Sequence, residues 1–265
     1  MQINLKKLFI HEQGFKKDNP LTKGVYLFNL ALLITLVFTI FYFMFKNVSY
    51  TFHWDSVYEY REKFIDGFMM TIIISFFALI LSFIIGLFFA YAQNSKLLVL
   101  RFFSRFYIEI IRGTPLLVQI LIFFYVFANN LGFENRYIVG TFILALFAGA
   151  YVCEIIRGAI ESIDKEQYET ALSLGMTNYQ MYAYVIFPQA FSRMLPALTG
   201  QFASIIKDSS LLSIISISEF TMNAQEVNAY TYSTLESYIP LAIGYLLLTY
   251  PISYYTNRLE AKIQK

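Results

Sequence analysis

Two stretches of the sequence, residues 25–45 and 67–92, contain no charged residue, and nothing else constrains the fold as strongly. The hydrocarbon core of a bilayer is about 30 Å thick, so an α-helix of about 20 apolar residues crosses it with every backbone N–H and C=O bonded internally, as hydrocarbon requires. The second run is long enough to span with some tilt. Residues 113–133 are a third charge-free run, and 137–153 a fourth that is short by itself and continues past Glu154. A fifth begins at Met194, is broken by Lys207 and Asp208 and resumes over 209–218, and the sixth is 237–257. The expected class is an all-α integral membrane protein with six transmembrane helices. The first run is too long for a signal peptide and lacks a small-residue cleavage site, so it is expected to stay attached.

Charged residues make up only 14% of the chain, against about 25% in soluble domains, so their positions carry the remaining information. The net charge of +2 offers nothing to nucleic acid. The single cysteine, Cys153, excludes an internal disulfide, and the isolated His11 and His53 have no metal-ligand spacing. Lys and Arg favour the cytoplasmic side of short loops. Lys6, Lys7, Lys16, Lys17 and Lys23, then Lys96, Arg101 and Arg105, then Arg157, Lys165 and Arg193, and finally Arg258, Lys262 and Lys265 all fall on one side of this topology. The other side holds more acids than bases, among them Asp55, Glu59, Glu62, Asp66, Glu134, Glu219, Glu226 and Glu236. Both termini are therefore expected in the cytoplasm. Three sizeable segments remain outside the spans: outer loops at 46–66 and 219–236, and an inner segment at 157–193.

Polar residues in or beside the spans are the functional candidates. Ser75, Ala78, Ser82, Gly86 and Ala90 recur every three or four residues and form a small-residue stripe, which reads first as a helix-packing surface and second as a path lining. Glu109 and Arg112, like Glu154 and Arg157, are three apart and can meet on one helix face. Lys207 and Asp208 are adjacent, point different ways and need partners elsewhere, in an interhelical contact or a cavity. Gly113-Thr114-Pro115 opens the third span, and Pro196 and Gly200 loosen the fifth ahead of Lys207-Asp208-Ser209. Such breaks free backbone groups that can meet a polar solute where they line a cavity, although proline is also tolerated in a first helical turn.

The inner segment reads as two short amphipathic helices hinged near Gly175 and ending at Pro188. Its residues resemble a known family. Glu169-Thr170-Ala171, Gly175, Val185 and Phe187-Pro188 keep the spacing of the EAA loop of ATP-binding-cassette importer permeases, with Thr170, Val185 and Phe187 as mild departures. Arg112-Gly113-Thr114-Pro115-Leu116-Leu117-Val118-Gln119, Ala150-Tyr151 with Glu154 and Arg157, and Lys207-Asp208-Ser209-Ser210 look like stretches of the polar amino acid subfamily. The resemblance covers about residues 67–258, making 1–66 look like an N-terminal addition to a five-helix importer core and 259–265 a cytoplasmic tail.

The resemblance implies a multi-pass permease of a bacterial inner or plasma membrane, paired with a second permease copy or relative. It also implies a separate ATPase subunit that binds ATP and Mg, an extracytoplasmic solute-binding protein and an amino acid substrate, with no cofactor on this chain and no catalytic residue. Glu169, Ala171, Gly175 and Pro188 would form the ATPase-coupling loop. Arg112, Gly113, Thr114, Pro115, Glu154, Lys207, Asp208 and Ser209 are candidates for the translocation path or its gating. The absence of a Gly-x-x-x-x-Gly-Lys-[Ser/Thr] stretch agrees with a nucleotide site on another polypeptide. The rival reading is a secondary transporter driven by an ion gradient, with Glu154 or Asp208 as the ion site.

Overall fold

The computed structural model describes residues 23–46, 50–128 and 130–263, which are helical with short connections and contain no strand among the described residues. The chain divides into two units, residues 1–51 and 52–265. The first contributes one helix, α1 (Lys23–Phe45). It is apolar on every side, with Leu33, Phe38 and Tyr42 all exposed, as expected of a helix whose neighbour is lipid. The hydroxyls of Thr35 and Thr39 donate to the carbonyls four residues back, which satisfies them within the helix.

The second unit begins with α2 (Asp55–Glu59) and α3 (Arg61–Gln93). After α3 come α4 (Leu98–Gly113), α5 (Leu116–Ile122) with a π-helical continuation over Phe123–Ala128, and α6 (Arg136–Glu161). Next are α7 (Lys165–Ser173), α8 (Asn178–Met181) with a π-helical turn at Tyr182–Ile186, and α9 (Phe187–Asp208) with a 3-10 segment at Ser209–Ile215. The chain closes with α10 (Phe220–Thr231) and α11 (Thr234–Ile263).

The centre of this unit is the pairing of α3 with α6. Their small residues meet reciprocally: a Cβ on Gly86 would lie 2.5 Å from Val152 Cγ1, and one on Gly149 would lie 2.7 Å from Ile85 Cγ2. Each glycine is thus the hole for a branched side chain of the other helix, the close approach that small residues permit between helices in lipid. Ser75, Ala78, Ser82 and Ala90 are all buried, so the small-residue stripe is a packing surface. Around this pair lie three buried clusters. One joins Phe89, Ile108, Cys153 and Ile156 to Ala171, Met181 and Ala190; a second holds Ile74, Leu116, Leu144, Ile205 and Leu212; a third holds Phe64, Phe220 and Val227.

Length and composition alone count fewer crossings than the six expected, and several local expectations are corrected. Four helices of the described residues are long and apolar enough to cross a membrane, and a fifth crossing is counted if a bent pair is one span. That pair is the expected third run: instead of a straight helix over 113–133, Leu98–Gly113 and Leu116–Ala128 meet at 112°. α9 is 22 residues long but too polar to qualify by composition, since Gln189, Arg193, Gln201, Lys207 and Asp208 all lie on it. Lys96 remains in a connection, whereas Arg101 and Arg105 lie on helix α4 rather than in a loop. The outer segment 46–66 is half helix, because α3 starts at Arg61. Nor is 219–236 an acidic loop in solvent: Glu219 and Glu236 are 0% exposed. Glu219 caps α10, accepting from Thr221 N and Met222 N at 2.8 Å each, and Glu236 accepts from His53 N. Carboxylates at helix starts meet free N–H groups and the positive end of the dipole, which makes their burial tolerable.

Candidate functional site: the α7–α8 corner and the bend before α5

The corner between α7 and α8 is built by local rules. α7 ends because Gly175 takes φ +74°, with Gly175 N donating to Leu172 O at 2.9 Å and Met176 N to Ala171 O at 3.1 Å. These two bonds are a Schellman motif, which satisfies helix-end carbonyls and favours glycine at the left-handed position. α8 restarts at once with a capping box: Thr177 Oγ1 accepts from Gln180 N at 3.3 Å, and Thr177 N donates to Gln180 Oε1 at 2.9 Å. Ala171 faces inward with Ile163, Met181 and Ile186. Glu169, Leu172, Leu174 and Tyr179 face outward and are exposed, and the Glu169 carboxylate has no ion-pair partner among the described residues.

The expected stop at Pro188 is corrected. The second short helix runs on into α9, with Pro188 in the first turn of α9 directly after the π-helical turn. Proline lacks an N–H and its ring crowds the carbonyl four residues back, and a locally widened turn is one way for a helix to continue past it. Gln189 Nε2 donates to Val185 O at 2.9 Å and to Gln167 Oε1 on α7 at 3.2 Å. Arg193 donates to Ser162 O and, at 3.1 Å, to Ser162 Oγ. Tyr168 OH reaches Ile160 O at 3.4 Å, and burial raises its phenol above the ordinary value, keeping it a hydroxyl. The corner is therefore bonded both to the end of α6 and to the start of α9.

At the bend, Thr114 and Pro115 are extended between α4 and α5. The buried Gln119 amide stitches the break, its Nε2 reaching Ile111 O at 2.7 Å, Thr114 Oγ1 at 2.8 Å and Thr114 O at 3.1 Å. A helix end leaves carbonyls without partners, and a side-chain amide four residues past the proline supplies a donor for two of them. The expected Glu109–Arg112 pair is absent. Arg112 instead donates across to Glu154 of α6 at 2.8 Å, and its guanidinium lies 5.6 Å from the centroid of the Tyr151 ring. Glu154 also takes a fork from Arg157, Nε to Oε1 at 3.0 Å and NH2 to Oε2 at 2.9 Å, and Arg157 reaches Glu161 at 2.6 Å. Four charges alternate in sign from the bend to the end of α6, each partly solvent-exposed, so each pair contributes about 0.2–1 kcal/mol.

Lys207 and Asp208 behave differently. Lys207 is exposed and Asp208 half-buried, and neither has an ion-pair partner among the described residues. Ser209 is buried and donates to Ile206 O at 2.8 Å as the helix tightens into its 3-10 segment. Two of the predicted groups border one cluster: Leu116, just past the bend, and Ile205, just before Lys207, pack together in it. Sequence reasoning missed a third polar centre. Tyr245 OH donates to Glu219 Oε2 at 3.0 Å, and Thr71 Oγ1 accepts from Phe220 N at 3.1 Å, so α3, α10 and α11 meet around a buried carboxylate. Glu219 stands at the start of the 220–231 helix, and an acidic residue at a helix start is the signal that could have found it.

The geometry is one of helices, bends and charge pairs, and comparison with known proteins is consistent with it. Residues 82–265 match the family described as "binding-protein-dependent transport system inner membrane component". The chain is 34% identical over 217 residues to the glutamine transport system permease protein GlnP of Escherichia coli (strain K12), covering 80% of this chain and 98% of that protein. It is 33% identical over 219 residues to the probable glutamine ABC transporter permease protein GlnM of Bacillus subtilis (strain 168), covering 83% and 99%. Among solved structures it resembles a chain of an amino acid ABC transporter, described as crystallised with histidines, at 36% identity and TM-score 0.75, covering 80% of this chain and all of that one. A chain of the MetNI methionine ABC transporter in an inward-facing conformation shares the fold at 15% identity and TM-score 0.58, covering 77% and 95%.

Proposed function

The chain belongs to the family of binding-protein-dependent transport system inner membrane components, and from that premise we propose that it is the permease subunit of an ATP-binding-cassette importer for polar amino acids of the glutamine type. The observation that carries the reading is the α7–α8 corner. It presents Glu169, Leu172, Leu174 and Tyr179 outward while hydrogen bonds tie it to α6 and α9. A partner pressing on it would move both helices together. In this reading the corner sits in a groove of an ATPase subunit, which binds ATP and Mg, and the permease pairs with a second permease subunit. Transport proceeds by alternating access: closure of the ATPase pair pushes the corner, α6 and α9 shift, and the path opens toward an extracytoplasmic binding protein.

Each candidate has a role in that cycle. Arg112 and Glu154 latch the Gly113–Thr114–Pro115 bend to α6. Lys207 and Asp208, where α9 tightens, face the path or the second subunit, which would supply the ion-pair partners they lack among the described residues, while the buried Ser209 holds the tightened turn behind them. The proposed topology has six crossings and cytoplasmic termini in a bacterial inner or plasma membrane. Residues 1–66 are an addition to a five-helix core, a division supported by a family match that starts at residue 82. The test is purification and uptake. An ATPase subunit that copurifies, and uptake of a polar amino acid that needs ATP, are expected; uptake abolished by collapsing an ion gradient and indifferent to ATP would overturn the assignment in favour of a secondary transporter.

A further inference from the structure

Helix α4 has three faces. Ser104, Ile108 and Ile111 are buried against α3 and α6, with Ser104 Oγ donating to Phe89 O at 2.9 Å. At 3.6 residues per turn, Val99, Phe102, Phe103, Phe106 and Ile110 fall together on a second face, and every one of them is exposed. The third face carries Arg101, Arg105, Glu109 and Arg112. A 16-residue helix with four charged side chains is ill-suited to crossing hydrocarbon, and the 112° turn at its end leaves it nearly perpendicular to α5. Both features suit a helix lying along the membrane surface with one apolar face down.

The charges differ in what they have to do. Arg112 is paired with Glu154. Lys96 and Arg105 are exposed, and neither they nor Arg101 pairs with a carboxylate among the described residues. Arg101 donates from NH2 to Ser95 O at 3.1 Å, and its buried Nε has no partner. Arg101 and Arg105 are one turn apart on the same line of the helix. The last two turns of α3, just before the connection to α4, also expose apolar side chains, Leu87, Phe88 and Tyr91.

We propose that α4 lies in the membrane interface and that Lys96, Arg101 and Arg105 bind the phosphates of anionic phospholipids, while the phenylalanine face seats among the upper acyl chains. Charge complementarity selects this occupant: an apolar face bordered by unpaired basic groups fits an anionic leaflet better than neutral lipid.

The experiment uses the full-length protein in nanodiscs of phosphatidylcholine with about a quarter phosphatidylglycerol, a symmetric mixture that makes the result independent of topology. One lipid or the other carries a photo-crosslinker at the top of its acyl chain, and adducts are mapped by mass spectrometry. Adducts on residues 99–110 are expected to favour phosphatidylglycerol, and Arg105→Gln should lower that preference by about fivefold while Arg105→Lys keeps it. Arg105 is exposed and forms no ion pair among the described residues, so neither change should disturb folding. Equal labelling by the two lipids would overturn the anionic site. Absence of lipid adducts on α4, with protein–protein crosslinks in their place, would show the face covered by a second copy and overturn the proposal entirely.

Discussion

Gly175 offers a test in which conformation separates cleanly from size. Its φ is +74°, and a Cβ built there meets nothing within 4 Å. A Cβ there therefore meets none of the described residues, and the cost is that of the left-handed backbone, about 1–2 kcal/mol for an ordinary L-residue, more for a β-branched one and less for asparagine. A cost of that size lowers the population of the native corner by a factor of roughly 5–30. The reporters are the amides of Gly175 and Met176, whose bonds to Leu172 and Ala171 define the motif. Hydrogen exchange at these amides should accelerate in the order Gly175→Asn, Gly175→Ala, Gly175→Val, and ATP-driven uptake should fall in the same order with membrane insertion unchanged. Equal damage from Asn and Ala would refute the conformational argument and point to a side-chain clash with a partner subunit. Wild-type exchange and uptake in the Val variant would refute a role for the corner itself.

Three further outcomes follow from the geometry. Gly149→Val forces a side chain against Ile85, where even the Cβ would lie 2.7 Å from Cγ2, and overpacking of this kind costs about 1–3 kcal/mol, read as a lower unfolding midpoint in detergent. A double-mutant cycle of Arg112→Gln and Glu154→Gln should give a coupling of no more than about 1 kcal/mol for a pair this exposed. A coupling several times larger would mean that the latch is shielded from water in the assembled transporter. Lys207→Gln and Asp208→Asn remove charges that form no ion pair among the described residues, so stability should change by less than about 0.5 kcal/mol while uptake kinetics change; unaltered kinetics would remove both residues from the path and its gating.

The helices of the membrane unit were legible because their signal is local. A charge-free run of sufficient length means a span wherever it occurs; 67–92 and 137–153 are helical as read, and the second continues past Glu154 to Glu161. The α7–α8 corner was legible for the same reason, since a glycine after an amphipathic turn specifies its own geometry within six residues. The sequence reading failed where a charge has more than one possible partner. Glu109 is as near to Arg112 in sequence as Glu154 is to Arg157, yet only the second pair forms. Glu219 and Glu236 read as loop acids because nothing local announces that Thr71, Tyr245 and His53 will close over them.

The amino-acid sequence by itself determined that this chain is made of membrane helices, where its small residues lie and where the α7–α8 corner turns, because length, polarity and left-handed backbone preference are properties of a few consecutive residues. Tertiary structure decided the 112° bend between α4 and α5 and the choice of Glu154 as the acid that answers Arg112. It also decided the burial of Glu219 among three helices. Each of these depends on which helix packs beside which, and that is set by complementary contacts such as Gly86 with Val152 and Gly149 with Ile85, between residues more than sixty positions apart in the chain.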